Sequence, residues 1–131
     1  ALVMPLERAI DYCEGKPSAD TIALSKNLLV DIGEGIKASS VVKSEGCPFR
    51  DNQININFDL NVPVCCTVSD RLTATVNRNY LTATLPEISH GKENAKICTK
   101  CMSFGLPEYN LGYNKKGWDE IAATKTSLDV A

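Results

Sequence analysis

The chain has one histidine, one tryptophan and few aromatic residues of any kind, 6% in all, and its charges nearly cancel, at −2 formally. Each scarcity excludes something. With His90 as the only histidine, any histidine-dependent triad or dyad must pass through it. His90 follows Pro86-Glu87-Ile88-Ser89 and precedes Gly91, which reads as an exposed turn with nothing to fix a tautomer or exclude water. The carboxylate pairs Asp119 with Glu120 and Asp11 with Glu14 are of the kind found on any surface. A non-enzymatic protein without cofactor is therefore expected. Lysine and arginine are scattered and form no basic stripe, which argues against a nucleic-acid partner. There is no apolar run long enough for a transmembrane helix. The Asn-x-Ser/Thr acceptor of N-glycans is also missing.

What the chain does have is cysteine. Cys13, Cys47, Cys65, Cys66, Cys98 and Cys101 make an even set in 131 residues, the usage of a fully paired extracellular domain. A first residue Ala1 in place of methionine fits a cleaved secretory leader and fits a trimmed chain equally. The expectation is one secreted, disulfide-stabilised domain over residues 1–131, since 44% apolar residues in this length support one core and not two. Cys98-Thr99-Lys100-Cys101 also has the spacing of a zinc half-site or a thioredoxin-like pair. Cys65 and Cys66, if on a strand, point to opposite faces and suit two disulfides better than one ion. Among the 15 possible connectivities of six cysteines, the most economical ties Cys13 to Cys47, and Cys65 and Cys66 to Cys98 and Cys101. The Cys65-Cys66-Thr67-Val68-Ser69-Asp70 run resembles the Cys-Cys-x-x-His-Asp of secreted phospholipases A2. It departs at Ser69, where that family places its histidine, and no glycine-rich calcium loop lies upstream.

Apolar spacing supplies the architecture. Ser18 after Pro17 caps a helix over residues 18–42 whose stripe is Ile22, Leu29, Ile32 and Ile36, with Leu24 and Leu28 beside it and Gly33 and Gly35 weakening its interior. A shorter helix over residues 4–13 precedes it. Ile54, Ile56, Phe58, Leu60, Val62 and Val64 then alternate with Asn55, Asn57, Asp59, Asn61 and Pro63, which predicts a strand interrupted near Pro63. Leu72, Ala74 and Val76 facing Leu81, Ala83 and Leu85 predict a hairpin that turns through Arg78-Asn79, with Thr73, Thr75, Thr82 and Thr84 on the wet face. Residues 87–117 read as loops with one further strand near 94–104, and Trp118 to Lys125 as a short closing helix. The fold class is α+β: N-terminal amphipathic helices packed on an antiparallel sheet of four or so strands.

Such a helix across the dry face of a curved sheet leaves a gap where a lipid or other small apolar molecule fits. The expected lining is Ile22, Leu29, Ile32, Ile36, Ile54, Ile56, Phe58, Val68, Leu72 and Val76; the same residues would serve as the core of a closed domain. The alternative is a secreted interaction module, an inhibitor, toxin or effector, that engages a protein partner through Phe104, Tyr109, Tyr113 and Trp118 on disulfide-held loops. The expected architecture is similar to that of the cystatin inhibitors. Their Gln-x-Val-x-Gly hairpin is missing, however, and Trp118 follows Gly117 rather than proline.

Overall fold

The computed structural model describes residues 4–41, 46–68, 74–111 and 115–130. Helices dominate it. In chain order the elements are α1 (Leu6–Cys13), α2 (Ala19–Ser25), α3 (Ile32–Ser40), α4 (Pro48–Asp51), β1 (Val62–Pro63), β2 (Thr75–Asn77), α5 (Leu85–Glu93), α6 (Lys96–Ser103), α7 (Leu106–Leu111) and α8 (Lys115–Val130). The class is α+β as expected, but the sheet among the described residues is a single antiparallel pair, Val62 opposite Asn77 and Pro63 opposite Thr75, with an irregularity between them.

The first helix forms where the sequence places it. Leu6, Ala9 and Ile10 fall on one buried face at i, i+3 and i+4. Gly15 ends it at φ +78°, with Gly15 N–H donating to the Tyr12 carbonyl at 3.1 Å and Lys16 N–H to the Asp11 carbonyl at 2.8 Å. This is the Schellman arrangement, which favours glycine because the left-handed conformation carries no Cβ penalty there.

The expected helix over residues 18–42 is two helices. Ser18 does cap the first, accepting from Thr21 N–H at 3.2 Å. The chain leaves the helix after Ser25 and re-enters at Ile32, because Asp31 and Glu34 close a capping box: Asp31 Oδ1 accepts Glu34 N–H at 2.8 Å and Glu34 Oε2 accepts Asp31 N–H at 3.3 Å. The break falls before Gly33 and Gly35, not at them. Gly35 is instead a contact point, since a Cβ there would meet Tyr109 Cε2 at 2.8 Å and collide with the Trp118 ring. It lets α3 pack closely on α7 and α8.

The long strand over residues 54–64 does not form. Its alternating polar residues bond to their own backbone: Asp59 Oδ1 accepts Asn61 N–H at 3.1 Å, and Asn57 N–H donates to the Asn61 carbonyl at 2.9 Å around Leu60 at φ +67°. The expected hairpin is replaced for a related reason. Asn77 Oδ1 accepts Asn79 N–H at 3.0 Å, Asn79 Oδ1 accepts Leu81 N–H at 3.0 Å, and Thr84 with Glu87 then forms a second capping box that makes Leu85 the first residue of α5. Leu72 and Thr73 of that hairpin lie outside the described residues. The stretch read as loops, residues 87–117, holds α5, α6, α7 and the start of α8. The closing helix exists and is longer than expected, Lys115–Val130.

The core joins Leu6, Ala9, Ile10, Val64, Cys65, Ala74, Cys101 and Leu106, with Ile36, Phe49, Cys98 and Phe104 packed against it. It therefore lies between α1, the β pair and the helices α6 and α7. The sheet itself rests on α5 rather than on the N-terminal helices. Among the described residues no helix is long and apolar enough to cross a membrane.

Candidate functional site

Two concavities are built very differently. One is an open cleft of about 870 Å³ between the start of α1 and α2, with mostly apolar walls that include Met4, Pro5, Ala23 and Leu24. Ser18 and Thr21 fix one side of it. Ser18 caps α2 and its Oγ lies 2.9 Å from Thr21 Oγ1, which holds the buried Thr21 against the helix start. Arg8 and Asp20 stand at its rim. Arg8 is exposed and pairs loosely with Asp11 at 3.8 Å, so its guanidinium remains accessible to a polar group of a guest. The volume is in the range of small-molecule sites, with walls mostly apolar by area and polar groups supplied by Arg8, Ser18, Asp20, Thr21 and Asn27.

The other concavity is a nearly filled pocket of about 20 Å³ lined by Cys47, Cys65, Cys98 and Cys101 together with Leu6 and Phe49. Cys98 and Cys101 sit three residues apart on α6 and so share a face. Cys47 is the residue preceding α4, and Asp51 Oδ2 accepts its N–H at 3.1 Å. Asp51 is held by Arg50 at 2.7 Å, which keeps its carboxyl below the usual range. Burial first, then mutual repulsion, drives the thiols up: Cys98 to about 11, with Cys65 its leading thiol neighbour, and Cys101 to about 12, with Cys47 its leading one. Both thiols are neutral at physiological pH.

Lys92 closes the back of this region. It is 2% exposed, and its ammonium donates to the Phe49, Arg50 and Gln53 carbonyls at the end of α4. The chain ends of α4 thus gain a charge-assisted cap, while burial lowers the lysine pKa. The hydrogen bonds tie α5 to the segment that presents Cys47.

The apolar residues expected to line one gap are dispersed. Ile32 is in the interior at 1% exposure, and Ile36 is half-buried against the core. Ile22, Leu29, Ile54 and Ile56 are exposed, and Phe58 is 87% exposed. Val68 and Val76 pack on the core, and Leu72 lies outside the described residues. The aromatic set is likewise not one loop surface. Phe104 packs on the core, and Tyr109 meets Trp118 with ring centroids 5.6 Å apart at 45°, over Gly35. The Tyr113 position lies outside the described residues.

The cysteines are all thiols in this structure, so the expected disulfide framework is not formed in it. Four of the six, Cys47, Cys65, Cys98 and Cys101, line one small pocket. Cys66 is exposed and, with Cys65, borders a second cleft beside Asn55, Ile56 and Val68. Among the described residues no three histidine, cysteine or acidic side chains are placed to hold a metal ion. His90 is exposed, as expected, but lies in the last turn of α5 rather than in a loop. The α1–α2 cleft was not anticipated, although Ser18 as a cap and the helix ending at Cys13 were legible; its walls arise only once those two helices meet. No family model, curated protein or solved structure matches the chain.

Proposed function

We propose that this domain is a secreted, non-catalytic binder of a small apolar ligand, which it holds in the cleft between α1 and α2. The observation that supports the reading is the combination of an 870 Å³ volume and walls that are mostly apolar by area. Burial of a short alkyl chain against Met4, Ala23 and Leu24 would contribute about 0.8 kcal/mol per methylene. About ten covered methylenes would contribute about 8 kcal/mol, the equivalent of micromolar affinity before the cost of immobilising the guest is taken off. Arg8 at the rim suits a polar or acidic head left in water.

Titration with a fluorescent fatty acid tests this. The parent chain saturates, and Leu24→Asp, which places a carboxylate on the apolar wall, weakens binding at least about tenfold. Phe58→Ser, far from that wall in sequence and on the surface, leaves the titration unchanged. A parent chain that never binds the probe, or a Leu24→Asp variant that binds as well as the parent, removes the ligand reading.

A second reading has its own observation. Phe58, Leu81 and Leu85 are 87%, 74% and 62% exposed, and Tyr80 N–H donates to the Leu60 carbonyl at 2.8 Å, which brings their two turns together. Exposed large apolar side chains on neighbouring turns and at a helix start are the usual anchors of a protein contact. An interaction module would use this surface, not the Tyr109–Trp118 pair. Loss of partner capture on Phe58→Ser with unchanged fatty-acid binding would favour it.

A further inference from the structure

Helix α2 has a second concave side. Ala23, Leu24 and Asn27 line the α1–α2 cleft, whereas Ile22, Ser25 and Lys26, at i, i+3 and i+4, line a separate open concavity of about 460 Å³. Tyr12, Leu28, Asp31 and Lys125 complete its walls. The turn that carries Leu28 is tied at both ends: Leu28 N–H donates to the Ser25 carbonyl at 3.3 Å, and Ser25 Oγ accepts Ile32 N–H at 2.9 Å.

These walls combine three chemistries. Ile22 and Leu28 are apolar, yet 42% and 41% exposed. The Lys26 ammonium has no hydrogen-bond or ion-pair partner among the described residues. Lys125 pairs with Glu34 at 3.1 Å, and an ammonium with three donors keeps room for another acceptor. Tyr12 and Asp31 come together over Gly33, where a Cβ would stand 2.7 Å from Tyr12 Oη and 3.3 Å from Asp31 Oδ1. Asp31 Oδ1 is committed to the cap of α3, while its other oxygen accepts no hydrogen bond among the described residues. Two cations thus stand with two carboxylates, Asp31 and Glu34, and a guest of single charge leaves a wall charge unmatched.

We propose that this concavity binds a small zwitterion with an apolar side chain, of the free α-amino acid type. The guest's carboxylate meets Lys26 and Lys125, its ammonium meets Asp31 and the Tyr12 hydroxyl, and its side chain covers Ile22 and Leu28. Charge-assisted hydrogen bonds at both ends fix its direction, and the apolar contact selects among side chains. Because the concavity is open, the ion pairs stay partly solvated and the dissociation constant is on the order of 1 mM. The site shares no wall residue with the α1–α2 cleft, so it stands whether or not that cleft takes an apolar ligand.

The test is an NMR titration of the full chain with L-leucine, with isopentylamine, which lacks the carboxylate, and with isocaproate, which lacks the ammonium. Leucine should saturate with amide shifts centred on Tyr12, Lys26, Leu28 and Asp31, and each analogue should bind at least about tenfold more weakly. Lys26→Gln, at an exposed position, should weaken leucine about tenfold and leave isopentylamine binding unchanged. Asp31→Asn keeps a side-chain oxygen for the cap of α3 and should weaken leucine while isocaproate binds no more weakly than before. Leucine that gives no saturable shift up to about 10 mM overturns the proposal. So does an analogue that binds as tightly as leucine, a Lys26→Gln variant that binds leucine like the parent, or a set of shifts confined to the α1–α2 cleft.

Discussion

The thiol pocket and the α1–α2 cleft are both lined by largely apolar walls, yet one holds about 20 Å³ and the other about 870 Å³. The difference follows from how many elements meet. The pocket lies where α1, α4, the segment after β1 and α6 converge, so side chains fill the space from every side. The cleft lies between two helices only, one of eight residues and one of seven, and nothing described covers it. Convergence of elements makes a core; two elements alone make a groove.

The largest effect separating these regions should come from alkaline pH on the reduced chain. The buried thiols have raised pKa values when folded, so between the unfolded value of 9.0 and about 11 for Cys98 or about 12 for Cys101 the folded chain holds more protons than the unfolded one. Their contribution to stability is full below pH 9.0 and is lost as pH rises through that window, on the order of a few kcal/mol. Lys92 acts in the opposite sense, because its folded pKa is lowered by burial and its penalty fades as pH rises toward 10.5, offsetting part of the loss. Urea midpoints of the chain kept under reducing conditions across this range make the check. A midpoint that stayed level from pH 9.0 to about 11 would mean that the pocket thiols are not buried as described.

Next in size is Lys92→Ala. It removes a buried cation from three carbonyls and leaves them short of donors, at a cost of roughly 3 kcal/mol in chemical unfolding. A change under about 0.5 kcal/mol would show that the end of α4 is solvated rather than capped by the lysine.

The smallest effect makes the comparison sharpest, because it adds one carbon at the joint and three in the cleft. Gly35→Ala puts a methyl into the Tyr109 and Trp118 rings and should cost roughly 1–3 kcal/mol. Ala23→Leu on the open cleft wall should change stability by no more than about 0.5 kcal/mol while reducing fatty-acid binding. Equal costs in thermal melts would mean that the cleft is as closely packed as the joint.

Much of what the sequence hid was hidden by short polar motifs. Asp31-Ile32-Gly33-Glu34 and Thr84-Leu85-Pro86-Glu87 are capping boxes, readable from their spacing, and each overrules a longer apolar pattern that runs through it. The apolar stripe from Ile22 to Ile36 is continuous in sequence, but its middle, Leu28 and Leu29, is exposed at the break between α2 and α3. Alternation at residues 54–64 predicted a strand because it counted side chains by polarity alone. Asp59 carries a carboxylate that accepts from the backbone and side-chain amides of Asn61 and so competes with a ladder, and no partner strand of matching length exists among the described residues.

Local information was sufficient where a few neighbouring residues decide the outcome: the helix ending at Cys13 with its Gly15 cap, the Ser18 cap, the exposed His90 and the near-neutral charge. Tertiary structure alone decided which cysteines share a pocket, that Lys92 is buried on three carbonyls from residues 39 to 43 positions away, and that an apolar cleft opens between α1 and α2. The physical reason is range. Caps and turns are settled by hydrogen bonds within about four residues, whereas pockets depend on the distance and angle at which whole elements pack, and a linear pattern does not carry those.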